Sequence, residues 1–123
     1  MIFRLKTSKR TMEIFNTLNS SEHLQPYALA KVAIALAIHS KYRYNNELYD
    51  TQGIDLNRQT ITGEYDLLYK KLIEMNEGKS LSDEEYFPEY IKAYLDHGAL
   101  LLEQEYKYSN DIYLHLLDLD KGI

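Results

Sequence analysis

The sequence has no cysteine, and only two of its 123 residues are proline. Without cysteine the chain has no thiol nucleophile, no disulfide framework and no cysteine-ligated zinc site. No apolar run reaches the roughly 20 residues that a membrane-spanning helix needs, and Met1 to Arg10 lack the layout of a signal peptide. We therefore expect a cytoplasmic protein, with one domain over residues 1–123, that does not enter a membrane.

Patterns for catalysis are also missing. The chain has no phosphate-cradling glycine loop and no Walker lysine pattern, so it lacks a site that would activate a phosphate. Its four histidines have no ligand spacing, and the acidic run Asp83-Glu84-Glu85 is typical of a capped helix start rather than a metal cluster. We predict no catalytic residue, no metal and no cofactor, and we keep an intrinsic nickase as an alternative.

Charge is divided unevenly along the chain. Residues 1–44 hold seven basic and two acidic groups, a balance of +5, whereas residues 45–123 hold seven basic and 17 acidic groups, a balance of −10. The first part therefore forms a basic strand-helix-helix region, and the second an acidic, mostly helical region. A basic segment on an acidic chain indicates a polyanion or an acidic partner. The alternative is a pair of solvated faces that compensate each other.

The stretch Pro26–His39 carries one full charge, Lys31, among mostly apolar residues. Proline is tolerated at a helix start and alanine favours helix, so the stretch predicts a helix of 14 residues. A helix that is apolar all round is normally buried. Since a single chain of this size could hardly cover it, we expect the helix to lie at the centre of a homo-oligomer.

The start of the chain predicts a strand. Residues 2–7 alternate, with Arg4 and Lys6 on one face, and Ser8 can cap a helix over Lys9 to Asn19. The order strand, helix, apolar helix is typical of a ribbon-helix-helix module, in which strands from two subunits pair and enter a DNA groove. We therefore expect the strand to pair with its copy in a second subunit, although surface lysines often only solvate a strand.

Basic and aromatic residues alternate from Lys41 to Tyr44. Such a segment can hold phosphates and stack on exposed bases, as in proteins that bind single strands. The alternative is that Tyr42 and Tyr44 only cover the end of the apolar helix. Both interpretations remain open at this point.

The second half of the sequence predicts further helices after an irregular, polar loop at residues 51–63. One helix is predicted to have carboxylates in its first turn and to end before Gly78. Ser82 and Glu85 form a capping-box pattern, with a kink expected before Pro88. A helix then runs through Lys107, in which Gly98 allows close approach by a neighbour, and a last helix is predicted over residues 111–119. The fold class is mainly α with one short ribbon.

The polar loop contains a recognisable pattern. Asn57-Arg58, Thr60 and the run Thr62-Gly63-Glu64-Tyr65-Asp66 resemble the signature of the DndE family of DNA phosphorothioation proteins, and the resemblance extends over most of residues 2–75. Three positions depart from the family pattern, namely Gln52 for an acid, Asp55 for glutamate and His23 for a glycine. From the residues themselves, we expect Asp55, Glu64 and Asp66 to form an ion-pair network around Arg58.

The resemblance implies a homotetramer with a ribbon-helix-helix-like fold, a preference for nicked double-stranded DNA, and work alongside the DndC and DndD proteins. Our prediction is a non-catalytic DNA-binding subunit of a phosphorothioation system. The alternatives are a structural adaptor of the DndC and DndD complex with little DNA affinity, and a ribbon-helix-helix repressor. The candidate DNA contacts are the basic residues Arg4, Lys6, Lys9, Arg10, Lys31, Lys41, Arg43 and Arg58.

Overall fold

The structure, a computed structural model, describes residues 3–45 and 49–108. Among these residues, no helix combines the length and the hydrophobicity that crossing a bilayer requires. The predicted fold class, mainly α with one short ribbon, is confirmed. The elements are β1 (Arg4–Lys6), α1 (Lys9–Glu22), α2 (Pro26–His39), β2 (Asp55–Asn57), α3 (Arg58–Ile61), a 3-10 turn (Gly63–Tyr65), α4 (Asp66–Glu77), a distorted helical segment (Glu85–Tyr90) and α5 (Ile91–Tyr108).

Strand β1 pairs within its own chain. Its partner is β2, in antiparallel register, so that Leu5 faces Leu56 and Lys6 faces Asp55. The expectation that β1 pairs with its copy in a second subunit is therefore wrong, because residues 55–57 supply the second strand. The expectation of an irregular loop over residues 51–63 is wrong for β2 and α3. A strand of three residues is too short to show an alternating pattern.

Helix α1 begins and ends at identifiable residues. The Ser8 hydroxyl accepts a hydrogen bond from the Thr11 backbone N–H at 3.0 Å, which confirms the predicted N-cap. The helix ends at His23, whose φ of 60° lies in the left-handed region. This conformation costs least for glycine. The glycine of the family pattern thus suits the local backbone better than the histidine of this chain.

Helices α2 and α5 form the centre of the core. Helix α2 has the predicted bounds, and it buries Leu29, Ala30, Ala33, Ile34 and Ala37. The helices pack closely, since a Cβ atom at Gly98 would lie 1.7 Å from the Ala33 carbonyl oxygen. The close approach predicted at Gly98 is confirmed. The expectation that one chain leaves α2 uncovered is wrong for this face, because the 18-residue α5 covers it.

Local signals in the second half are confirmed. Gly78, with φ of 75°, ends α4. Ser82 and Glu85 form the reciprocal capping box, at 2.9 Å and 3.1 Å. The backbone leaves helical geometry at Phe87, directly before Pro88 and across a cis peptide bond. Helix α5 then continues to Tyr108, and the helix predicted over residues 111–119 lies outside the described residues.

Candidate nucleic-acid interface

The outward face of the β1–β2 ribbon carries both positive and negative charge. Arg4 and Lys6 are exposed, while Leu5 between them is buried. Arg4 Nε donates to Asp55 Oδ1 at 3.0 Å, and Asp55 also stands opposite Lys6. About half of each side chain in the Arg4–Asp55 pair is exposed, so water screens the pair and it adds little stability. Arg4 can therefore exchange this carboxylate for another anion at small cost.

The junction between β1 and α1 is fixed by a buried carboxylate. Asp96 of α5 accepts hydrogen bonds from the Ser8 backbone N–H at 3.0 Å, from the Thr11 hydroxyl at 2.7 Å and from Lys92 Nζ at 2.7 Å. Its side chain is fully buried, and buried charges persist when they are paired and hydrogen-bonded. Asp96 thereby holds the first turn of α1 in a fixed position on α5.

A second carboxylate orients the same turn. Asp50 Oδ1 accepts from the backbone N–H of Lys9 at 2.8 Å and of Gln52 at 3.0 Å, and these hydrogen bonds, led by that from Gln52, lower the pKa of Asp50. Lys92 Nζ also donates to the Asp50 carbonyl, at 2.7 Å. Close packing accompanies these bonds, since a Cβ atom at Gly53 would lie 2.1 Å from the Ser8 carbonyl oxygen. The Lys9 side chain projects into solvent from this ordered turn.

The remaining cations of the first 40 residues have partners of their own. Arg10 is half exposed and contacts Glu103 of α5, with Glu13 at 3.7 Å. Lys31 Nζ donates to the Thr60 carbonyl oxygen at 2.7 Å and lies 5.4 Å from the centre of the Tyr27 ring. Lys31 thus links the apolar helix α2 to α3.

Lys41 and Arg43 are exposed beyond the end of α2, while the Tyr42 ring is buried and the Tyr44 ring is partly buried. The Tyr42 ring is buried, stacked on His97 at 4.2 Å and edge-on to Tyr94 at 5.0 Å. Tyr44 lies 4.4 Å from Tyr90, and its hydroxyl hydrogen bond to Glu89 raises its pKa to about 12. The rings serve packing, as the second interpretation of this segment predicts.

Arg58 is held by two carboxylates. Its guanidinium donates to Asp66 at 2.7 Å and 3.1 Å and to Asp83 at 2.8 Å and 3.1 Å, and only 13% of its side chain is exposed. The ring centres of Tyr86 and Phe87 lie 5.3 Å and 5.1 Å from the guanidinium carbon. The predicted ion-pair network is confirmed for Asp66. Asp55 pairs with Arg4 instead, and Glu64 forms no ion pair with Arg58 among the residues that the structure describes.

Arg58, Asp66 and Asp83 remain charged at neutral pH. Burial raises the pKa of Asp66, but hydrogen bonds from Arg58 and Thr62 outweigh burial and leave the pKa below its usual value. The hydrogen bond from Arg58 lowers the pKa of Asp83, and both carboxylates raise the pKa of Arg58. Sequence reasoning missed Asp83, which lies 25 residues from Arg58. Its position in a capping-box run gave no signal of this contact.

Two cavities lie beside these residues. A polar cleft of about 410 Å³ lies between the end of the ribbon and the family signature, and its lining residues are Phe3, Asn57, Arg58, Gln59, Thr62, Gly63 and Asp66. An apolar groove of about 510 Å³ lies between α2 and α4, and its lining residues are Ala35, Ile38, His39, Tyr65, Leu68, Tyr69 and Leu72. No cluster of three or more histidines and acids suited to a metal ion occurs within residues 3–45 and 49–108.

The predicted DNA contacts fall into separate groups. Arg4, Lys6, Lys9 and Arg10 follow one another on β1 and the first turn of α1, and we call them the basic edge. Lys31 lies beside α3, and the segment with Lys41 and Arg43 follows α2, whose axis extends about 12 Å beyond Lys31. The structure therefore does not bring all eight predicted residues onto one element.

The helical arrangement has counterparts among solved structures. A crystal structure of DndE from Escherichia coli B7A, involved in DNA phosphorothioation modification, matches with a TM-score of 0.67 at 19% identity, over 83% of this chain and 97% of that chain. A crystal structure of a DndE mutant involved in DNA phosphorothioation matches with a TM-score of 0.64 at 19% identity, over 85% and 99% of the two chains. The fold is thus that of the DndE structures.

A family model described as DNA sulphur modification protein DndE matches residues 4–110. The chain therefore belongs to the DndE family, which takes part in DNA phosphorothioation. This confirms the resemblance seen in the sequence. A search of curated protein sequences finds no match.

Proposed function

We propose that the chain is a non-catalytic DNA-binding subunit of a DNA phosphorothioation system. It binds nicked double-stranded DNA in preference to intact duplex, forms a homotetramer, and works with the DndC and DndD proteins. The observation that carries the proposal is the basic edge, four exposed cations on one ribbon strand and one helix turn. The buried Asp96 and the loop residue Asp50 hold this turn in place.

The basic edge suits phosphate oxygens. Within the part of the chain that the structure describes, Lys6 and Lys9 have no carboxylate at ion-pair distance, and Arg4 has only a solvent-screened partner. A DNA phosphate can therefore take up these cations with little loss of existing contacts. Lys31 adds a cation beside α3, and Lys41 and Arg43 extend the surface. We assign Arg58 to the support of the fold, because its guanidinium already binds two carboxylates.

The apolar groove between α2 and α4 suits a second copy of the chain. Tyr65, Leu68 and Leu72 are 56%, 53% and 37% exposed, which is unusual for large apolar residues on one face. Leu67 and Met75, at 66% and 77% exposure, protrude from the same helix. The chain thus carries both an apolar groove and apolar side chains that can fill it, as a two-fold contact requires.

Salt-dependent binding tests the basic edge. Gel shifts with intact, nicked and gapped duplexes should show tightest binding to the nicked form, and K6A/K9A should weaken it and reduce the salt slope by up to about 2. Lys71→Ala is the matched control, because Lys71 is an exposed lysine on α4. Unchanged binding by K6A/K9A would refute the proposed surface.

The solution mass of the purified protein tests the proposed oligomer. Wild type should be a tetramer that Leu68→Glu dissociates, and a monomeric wild type would refute the proposed homotetramer.

A structural adaptor is the second candidate function. It is favoured by Asp55, which offsets part of the positive charge of the ribbon through Arg4. An adaptor would bind the partner proteins but shift none of the three duplexes at moderate salt. The repressor alternative loses its main argument, because β1 pairs with β2 of its own chain rather than with a second subunit.

A further inference from the structure

The polar cleft beside the ribbon offers a second kind of contact to DNA. Its volume of about 410 Å³ falls within the usual range of small-molecule sites, roughly 300–1,000 Å³. It opens where β1 begins, one residue before Arg4 of the basic edge, and its other wall belongs to the family signature from Asn57 to Asp66. The cleft therefore lies at the end of the ribbon where the basic edge begins.

The charges at and beneath the cleft disfavour a phosphate: Arg58 and Asp66 line it, and Asp83 binds Arg58 from outside the lining. Arg58 brings one positive charge, and Asp66 and Asp83 bring two negative charges that bind its guanidinium. Four hydrogen bonds from the guanidinium go to these carboxylates, out of the five N–H groups that arginine has. The network thus carries a net charge of −1, so that a neutral ligand suits the cleft better than an anion.

The wall offers amide groups. Asn57 Oδ1 accepts from the Gln59 backbone N–H at 2.7 Å, which leaves the amino group of Asn57 as a donor within the described structure. The Gln59 side chain is exposed and supplies both a donor and an acceptor. Gly63, with φ of 54°, has only Gln59 Nε2 near its missing Cβ, at 3.9 Å, so the cleft stays open there. Side-chain amides of this kind pair with the edges of nucleobases.

The mouth of the cleft carries an aromatic ring. Phe3 directly precedes β1 and is 55% exposed, whereas Leu5 within the strand is 4% exposed. The Phe3 carbonyl oxygen accepts from the Arg58 backbone N–H at 2.7 Å, which fixes the backbone at this point. An exposed ring on a held backbone, beside amide groups, is an arrangement that can stack on a base.

We propose that this cleft receives one unstacked nucleobase at a DNA nick, with the base stacked on Phe3 and its edge bonded by Asn57 and Gln59. The inference rests on the proposed function, since the basic edge must hold the flanking phosphates. A nick interrupts the continuous strand, so the base beside it leaves the stack at lower cost than a base within intact duplex. The cleft thereby explains how a surface of simple cations prefers a nick.

The test compares two nicked duplexes that differ only in whether the nucleotide beside the nick carries a base or is abasic. Wild type should bind the base-bearing duplex about tenfold more tightly, and Phe3→Ala and Gln59→Ala should each reduce that ratio towards one. Their salt slopes should remain those of wild type. Tyr108→Ala, which removes another exposed ring, is the control and should keep the ratio. 5-Iododeoxyuridine placed beside the nick should crosslink to Phe3 under ultraviolet light.

The outcomes separate this inference from the proposed function. Equal binding of the two duplexes by wild type, a ratio that Phe3→Ala leaves unchanged, or crosslinks only outside the cleft would overturn the base site. If the K6A/K9A effect persists in those cases, the basic edge still stands. A wild type that binds no nicked duplex overturns both. Phe3→Leu keeps an apolar side chain without the ring. It should also bring the ratio of binding to the base-bearing and abasic duplexes towards one, which separates stacking from simple burial.

Discussion

Replacing Gly98 by alanine tests the packing of α2 on α5. An added Cβ would lie 1.7 Å from the Ala33 carbonyl oxygen, 2.3 Å from its carbon and 2.9 Å from its Cα. All three are backbone atoms, so no side chain can rotate away. Contact distances of about 3.5 Å require the two helices to separate by roughly 1.5–2 Å.

The expected effect is large because the helices form the core. Glycine to alanine within a helix ordinarily stabilises by about 1 kcal/mol. Here overpacking, usually about 1–3 kcal/mol, adds to the loss of contacts along the whole α2–α5 interface. We expect G98A to lower the free energy of unfolding by about 3 kcal/mol.

Urea unfolding followed by far-ultraviolet circular dichroism, at one fixed protein concentration, measures this change. Gly78→Ala is the control, since a Cβ there meets nothing within 4 Å and the cost comes only from its φ of 75°. That cost is about 1 kcal/mol. If G98A proved as stable as wild type, or more stable, the close crossing of α2 and α5 would be refuted.

Three further substitutions follow from the hydrogen-bond networks. Asp96→Asn should cost about 3 kcal/mol in urea unfolding, because it leaves Lys92 without its buried countercharge; a loss below 1 kcal/mol would contradict that role. Arg58→Met should flatten the acid limb of thermal stability, which is the decrease in melting temperature as the pH falls below about 4. The folded pKa values of Asp66 and Asp83 lie below their unfolded values, so the network stabilises fully above about pH 4 and its contribution falls as pH drops through the folded values. An unchanged acid limb would contradict it. Ser82→Ala should cost about 1 kcal/mol in urea unfolding, since it removes the capping box, whereas the exposed Ser80→Ala should cost almost nothing.

Local signals predicted much of the helical fold. The caps at Ser8, Gly78 and Ser82, and the bounds of Pro26–His39, follow from residues that act within one turn of the chain. Such effects need no knowledge of the tertiary structure, because each satisfies backbone groups of its own helix. The close contact at Gly98 was also predictable, since glycine inside an amphipathic stripe lacks another local explanation.

Long-range pairings were beyond the sequence. The ribbon joins Arg4 to Asp55, which lie 51 positions apart. Strand β2 has only three residues, too few for an alternating pattern to predict it. The bond between Arg58 and Asp83, and the bond between Ser8 and Asp96 across 88 positions, depend on how whole helices dock. The Arg58–Asp66 pair was predicted within one signature, but the same prediction included Asp55, which binds Arg4 instead.

The pairing of β1 with β2 determines when the basic edge becomes ordered during synthesis of the chain. Strand β1 is made first, but its partner strand follows about fifty residues later, and Asp96, which holds the first turn of α1, follows later still. Contacts between distant residues form only after the intervening chain has been closed into a loop. A nascent chain in which α5 has not yet been synthesised therefore lacks the ordered basic edge. Under the proposed function, DNA binding therefore requires the completed fold.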